Sequence, residues 1–221
     1  TRLFLRTSEF LWQEGHNAFA TKEEAENDTR VMLDVYADVF ENVLAIPVIK
    51  GHKTADERFP GAVDTQTLEA MMQDGKALQS CTSHNLGQTF TKGFDIKYQA
   101  EDSSLKHAWT TSWGFSTRTI GGVIMVHGDD DGLRLPPKIA PQQVVIIPFL
   151  KGEGDDALLE YGESVRSKLI AKGYRVFFDT REGRAGDKHW EYIKKGIPVR
   201  LEIGGREMEE GVVSVARRDK G

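Results

Sequence analysis

Within the run Phe4-Leu5-Arg6-Thr7-Ser8-Glu9-Phe10-Leu11-Trp12-Gln13-Glu14-Gly15-His16 the chain brings together a guanidinium, two carboxylates, an indole and an imidazole, with no turn residue before Gly15. A water-facing strand rarely needs that mixture, whereas a pocket for a charged, ring-bearing ligand does. In an extended strand Phe10, Trp12, Glu14 and His16 fall on one face, with Leu11 and Gln13 on the other. Periodicity by itself favours an ordinary half-buried strand with a packed Trp. Residues farther along shift that balance.

The segment Ser116-Thr117-Arg118 opens an apolar stretch of helical spacing, which places Arg118 in the first turn of a helix. There its permanently charged fork joins free backbone N–H groups and the positive dipole end, a phosphate site in physical terms. A lone arginine at such a place is more often solvated or ion-paired. Here Arg6 stands on the aromatic segment, and Thr82 and His84 share a face of another strand. Gln79 joins that face only if a bulge intervenes. Two arginines with neutral hydrogen-bonding groups suit a polyphosphate attached to a nucleoside. A glycine-rich phosphate loop, a dinucleotide fingerprint and His-Glu-x-x-His are all missing. Asp129 to Asp131 read as a solvated helix end, and Cys81 as a small packed thiol.

These side chains need elements to hold them. Thr21-Lys22-Glu23-Glu24 is a capping box, and Met32, Val35, Tyr36, Val39, Phe40 and Val43 continue as one long amphipathic helix. Strands are expected over 45–49, 66–72 and 76–84, the last two joined as a hairpin at Asp74-Gly75. The polar loop 51–62 contains Phe59, its one large apolar group, as a candidate lid. A strand over 107–113 is broken by Gly114, and the helix from Ser116 ends in the acidic loop. Beyond Leu135-Pro136-Pro137 come strand 144–147, helix 155–171, strand 174–178, a short helix near 189–194, and strands 198–203 and 212–216. Alternating strands and helices imply a small α/β domain with parallel neighbours.

The composition is that of ordinary globular material, with 39% hydrophobic and 29% charged residues. No apolar run approaches the ~20 residues of a membrane span, and no signal peptide opens the chain, so a cytoplasmic protein is the default. Cys81 is the single cysteine, which rules out an internal disulfide or a multi-thiolate zinc site within these residues. A net charge of −5 argues against nucleic-acid binding driven by bulk positive charge. Lysines and arginines scattered over the last third read as a solvated face. The start at Thr1 is read as that of a fragment of a longer polypeptide.

The stretches at 4–16, Thr82-Ser-His-Asn-Leu-Gly-Gln88, Ser112-Trp-Gly-Phe-Ser-Thr-Arg118, and His127-Gly-Asp-Asp-Asp-Gly-Leu133 with Leu135-Pro-Pro-Lys-Ile-Ala-Pro141 together resemble prolyl-tRNA synthetase in its archaeal and eukaryotic-like form. The resemblance implies an α/β protein (α+β catalytic core): a class II antiparallel sheet with flanking helices over 1–138, containing motifs 2 and 3, and an α/β anticodon-binding domain over 139–221. It implies ATP contacts at Arg6, Thr7, Phe10, Gln79, Thr82, Ser116 and Arg118. The resemblance makes Arg6 and Arg118 the expected catalytic pair, assisted by Mg²⁺. It implies a proline pocket of Trp12, Glu14, His16, Phe59, His84 and Ser112. In the second domain Arg181, Arg184, Lys188 and Arg206 are the expected tRNA contacts.

The partners so implied are proline and tRNA(Pro), in a homodimer of the longer protein. The Arg-x-Glu that opens motif 2, the loop holding the imino group and motif 1 would precede Thr1, and a zinc-bearing extension would follow Gly221, so the chain alone is expected to be inactive. A pocket fitted to proline excludes alanine by only the few kcal/mol of missing methylenes, and misactivation is expected. The competing reading is a synthetase-like paralogue that binds tRNA or regulates without aminoacylation. A sibling enzyme for threonine or histidine would share the architecture, and the Trp12 and His16 pair disfavours threonine.

Overall fold

A computed structural model describes residues 3–152 and 154–220. The chain forms two compact units, Thr1–Val126 and His127–Gly221.

In the first unit the elements are β1 (Trp12–Phe19), α1 (Lys22–Asp38), β2 (Val48–His52), β3 (Asp64–Met71), β4 (Ala77–Gly87), α2 (Thr89–Gly93), β5 (Lys97–Gln99), β6 (Leu105–His107), β7 (Trp109–Ser116) and α3 (Arg118–His127). Five strands form an antiparallel sheet in the order β1-β7-β4-β3-β2. The capping box forms, with Glu24 N–H donating to Thr21 Oγ1 (3.2 Å) and Thr21 N–H to Glu24 Oε2 (3.0 Å).

Helix α1 then lies on one face of the sheet. It packs on β3 and β4, burying Ala25, Leu33, Tyr36 and Ala37 on the helix and Leu68 and Cys81 on the strands, and Ser83 Oγ donates to Thr29 O at 2.8 Å. Tyr36 stands edge-on to Trp113 and Phe115, and Phe40, in a π-type turn at Val39–Val43, packs on Phe115. Asp28 accepts from both Asn17 and Thr111, fastening the helix to β1 and β7. With one face covered in this way, the alternation of each strand commits the intervening side chains to the other face.

The second unit comprises β8 (Val144–Pro148), α4 (Asp156–Ala171), β9 (Val176–Phe178), α5 (Ala185–Lys195), β10 (Val199–Ile203), α6 (Gly205–Glu210) and β11 (Ser214–Arg217). Its sheet runs β11-β10-β8-β9, parallel except for the β10–β11 pair. Val144, Ile146, Leu158, Leu201 and Ile203 fill one side, and Val145, Ile147, Tyr192 and Ile197 the other. Burial on both faces explains why β8 reads as an unbroken apolar run.

Several elements differ from their sequence reading. The opening strand starts at Trp12, leaving Phe4 to Leu11 outside it. Leu5 N–H turns back to Leu3 O at 2.8 Å, and Phe4 has φ 58°. Gly114 does not break β7, because the strand pairs on both sides through it. β2 begins at Val48 after a positive φ at Ala45, and the short helix α6 carried no signal strong enough to be expected. Residues 127–138 pack within the second unit: Arg218 clasps Asp129 at 2.5 and 2.9 Å, and Leu133 N–H donates to Lys194 O.

Candidate active site

The uncovered face of the first sheet is organised in rows fixed by strand register. Across β1, β7, β4 and β3 one row reads Glu14, Gly114, Thr82, Thr67, and the next reads His16, Ser112, His84, Thr65. Trp12 pairs with Ser116 one step farther along β1 and β7. The register of β3 against β4 shifts between Leu68 and Glu69, so that Leu68 faces Cys81 and Glu69 faces Gln79. That bulge lets Ser80 be skipped and turns Gln79 onto the face of Thr82 and His84. Gly114 lies in the floor between Glu14 and Thr82, where a Cβ would come within 2.7 Å of Gln13 O.

Three adjoining cavities open on this face. The first, about 640 Å³, is lined by Trp12, Glu14, His16, Phe59, His84 and Ser112, all six residues of the expected proline pocket. Its far end is apolar, with Leu86, Phe90, Phe94, Ile96 and Ala108. The second, about 400 Å³, is lined by Phe10, Gln79, Thr82, Ser116 and Arg118, and shares Trp12, Thr82 and Gly114 with the first. The third, about 610 Å³, holds Arg6, Lys53, Glu57 and Glu69, and shares Gln79 and Arg118 with the second. Arg6 and Arg118, far apart in the chain, therefore line one cleft. Thr7 lines none of the three, its hydroxyl donating to Glu9 O at 2.6 Å.

His84 is held on both ring nitrogens, Nδ1 2.9 Å from Thr65 Oγ1 and Nε2 3.0 Å from Thr82 Oγ1. Burial, reinforced by the Lys53 charge, lowers its pKa and keeps the ring neutral. Two hydroxyls, each able to donate or accept, satisfy that neutral ring in either tautomer. Phe59 comes off the loop between β2 and β3 to lie 5.6 Å, centroid to centroid, from His84 and 6.3 Å from Phe90. Glu14 and His16 approach to 3.2 Å.

Arg118 donates through Nε to Leu5 O (3.1 Å), and its guanidinium carbon lies 5.6 Å from the centre of the Phe10 ring. Burial, and then the like charge of the neighbouring Arg6, lower its pKa. Cys81 lies on the covered face. Burial pushes its thiol up to about 12, so the packed-thiol reading describes it well and it has no nucleophilic character.

In the second unit the four expected tRNA contacts differ in kind. Arg184 is exposed at the start of α5, and Arg206 is exposed beside Glu210 (3.0 Å). Arg181 bonds Asp179, Glu191 and the Tyr192 hydroxyl. Lys188 needs correction: it is 5% exposed, and its ammonium donates to the carbonyls of Asp179 and Arg181. A buried, fully engaged lysine organises the 179–184 turn and presents no charge to a partner. Asp179, itself 0% exposed, would be raised by burial, but the bonds from Arg181 and Tyr192 outweigh that and hold it well below the usual carboxylate range.

The residues that sequence reasoning missed are Lys53, Glu57 and Glu69 in the third cavity. Alternation from Thr65 and Thr67 points to Glu69, whereas nothing local marks Lys53 or Glu57. Among the described residues no group of three or more His, Cys, Asp and Glu side chains could hold a metal ion, and no helix is long and apolar enough to cross a membrane.

Residues 1–127 match the family model described as the tRNA synthetase class II core domain (G, H, P, S and T). The chain belongs to this class II synthetase family. Residues 143–221 match the anticodon binding domain. Among class II relatives, proline–tRNA ligase of Erythrobacter litoralis is 57% identical over the whole chain, which covers 44% of that relative. Proline–tRNA ligase of Protochlamydia amoebophila is 56% identical over 99% of the chain and 44% of its own length. The crystal structure of prolyl-tRNA synthetase from Cryptosporidium parvum, complexed with L-proline and AMP, superposes with a TM-score of 0.94 at 41% identity. It covers 99% of this chain and 48% of that one. The chain thus spans less than half the length of the relatives it matches, and the class II architecture expected from its motifs is present.

Proposed function

We propose that the chain carries the ATP site, the proline pocket and the anticodon-binding domain of a proline–tRNA ligase, acting in the cytoplasm as a homodimer. A proline carboxylate oxygen attacks the α-phosphorus of ATP, the bond from that phosphorus to the β-phosphate bridging oxygen breaks, and pyrophosphate leaves with the electron pair. The terminal ribose hydroxyl of tRNA(Pro) then attacks the prolyl carbonyl, its proton is lost, and AMP departs.

The observation that carries this reading is the continuity of an indole- and phenyl-walled pocket with a cleft lined by two arginines that have no ion-pair partner among the described residues. The pyrrolidine ring lies against Trp12 and Phe59, where aromatic faces supply contact area at little rotamer cost. Neutral His84 and Ser112 supply hydrogen bonds. Phe10 backs the adenine, with Gln79, Thr82 and Ser116 around the ribose and α-phosphate. Arg6 and Arg118 hold the phosphates and stabilise charge as it builds on the departing oxygen. No side chain accepts or donates a proton at the reacting phosphorus, because the nucleophile is already a carboxylate, and positioning with charge stabilisation carries the rate.

Mg²⁺ fits a cleft of this kind, since such ions take one or two carboxylates and otherwise phosphate and water oxygens. Glu57 and Glu69, which line the same cavity, are the carboxylates that would hold it. When bound, the ion neutralises phosphate charge. In the second unit, Arg181, Arg184 and Arg206 are proposed tRNA contacts.

The test is Arg118→Ala in the full-length protein. Loss of one preorganised charge donor is expected to lower proline-dependent ATP–pyrophosphate exchange about 10²- to 10³-fold with an unchanged circular dichroism spectrum. Near-normal exchange would refute the assignment.

A further inference from the structure

The third cavity contains a cation that no assignment above uses. Lys53 is the first residue after β2, and its backbone is fixed on both sides. Its N–H donates to Thr65 O at 2.9 Å, and its carbonyl accepts from Arg58 Nε at 3.2 Å. Arg58 also reaches across the loop to Val63 O (2.9 Å), so one guanidinium braces both ends of the segment that bears Phe59. The nearby carboxylate Asp64 is taken by His52 at 3.0 Å and Arg58 at 3.8 Å. Lys53 is half-buried, and no carboxylate among the described residues pairs with its ammonium, although Glu57 and Glu69 line the same cavity.

A half-buried ammonium that lines a cavity, with no ion-pair partner among the described residues, leaves its charge available to an anion that enters. It lines the same cleft as Arg6 and Arg118, and it is close enough to His84 for its charge to disfavour the imidazolium. Three cations and two carboxylates leave a small positive excess, suited to a polyanion that brings its own divalent ion.

We infer that Lys53 is a third cation of the polyphosphate site, delivered by the loop that carries Phe59, and that it contacts the β- and γ-phosphates that leave as pyrophosphate. The inference rests on the proposed function and assigns a further residue to the same cleft. Its consequence is that the loop touches both substrates, Phe59 on the amino-acid side and Lys53 on the phosphate side.

The experiment uses full-length protein with Lys53→Met and Lys53→Arg. Losing one charge-assisted bond is expected to weaken binding of inorganic pyrophosphate with Mg²⁺, read by calorimetry, by about 10- to 100-fold in Lys53→Met. The KM for ATP in pyrophosphate exchange should rise similarly, with the KM for proline far less affected. Lys53→Arg keeps the charge and should recover most of the loss. Unchanged pyrophosphate affinity in Lys53→Met would overturn the inference, as would equal losses in both variants or equal shifts in the proline and ATP KM values. Wild-type protein that binds pyrophosphate through Lys53 but shows no proline-dependent exchange would leave the inference standing and remove the proposed function.

Discussion

Gly15 is the glycine of the first unit with least room for a side chain. It pairs with Trp113, and a Cβ there would lie 2.0, 2.2 and 2.3 Å from three carbons of the indole ring. Carbon–carbon contacts relax near 3.5–4.0 Å, so in Gly15→Ala the ring must move by roughly 1.5 Å or leave its site. The ring lies edge-on to Tyr36 at 6.2 Å, and its Nε1 is buried without a hydrogen-bond partner among the described residues, so packing alone holds it. Overpacking costs about 1–3 kcal/mol, and disturbing an aromatic pair adds about 0.5–1.5 kcal/mol, which together give roughly 1.5–4.5 kcal/mol. Urea unfolding of full-length Gly15→Ala should show that loss. In a Trp113→Leu background, where the ring is gone, the same substitution should cost well under 1 kcal/mol. Because β1 and β7 align His16 with Ser112, the single variant should also raise the KM for proline. A Gly15→Ala protein as stable as wild type, or one equally destabilised in both backgrounds, would refute the reasoning.

Two further perturbations follow from buried charge. Asp179→Ala removes the carboxylate that Arg181 and Tyr192 bond and leaves the buried Lys188 charge without its counter-charge, so the second unit should lose about 3–5 kcal/mol in denaturant titrations, while Asp179→Asn should lose less. His84 has a folded pKa below its ordinary 6.5, so the unfolded chain takes up a proton that the folded chain resists. Stability should therefore be full above about 6.5 and fall as pH drops through that value. Urea midpoints measured from pH 7.5 down to 5.5 should fall more steeply for wild type than for His84→Gln, and parallel profiles would contradict the assigned cause.

What the sequence determined by itself is whatever depends on local period and local chemistry. Two-residue alternation put Trp12, Glu14 and His16 on one face, the Thr21–Glu24 box started α1, Asp74-Gly75 joined a hairpin, and Ser116-Thr117 set Arg118 at the head of α3. Those features follow from backbone geometry that a few neighbouring residues specify. Only tertiary structure decided the rest. The bulge that turns Gln79 beside Thr82 arises from the pairing of β3 with β4, and a helical cover on one face left the other free to become a site. Lys188 reads as a surface charge in any local window, and it is buried because Asp179 and Arg181 turn their carbonyls toward it. Phe10 and Arg6 reach the cleft from the irregular segment before β1, and Lys53 joins them only because β2 delivers its loop to that cavity. Burial and charge proximity are sums over residues distant in the chain, and no local pattern encodes them.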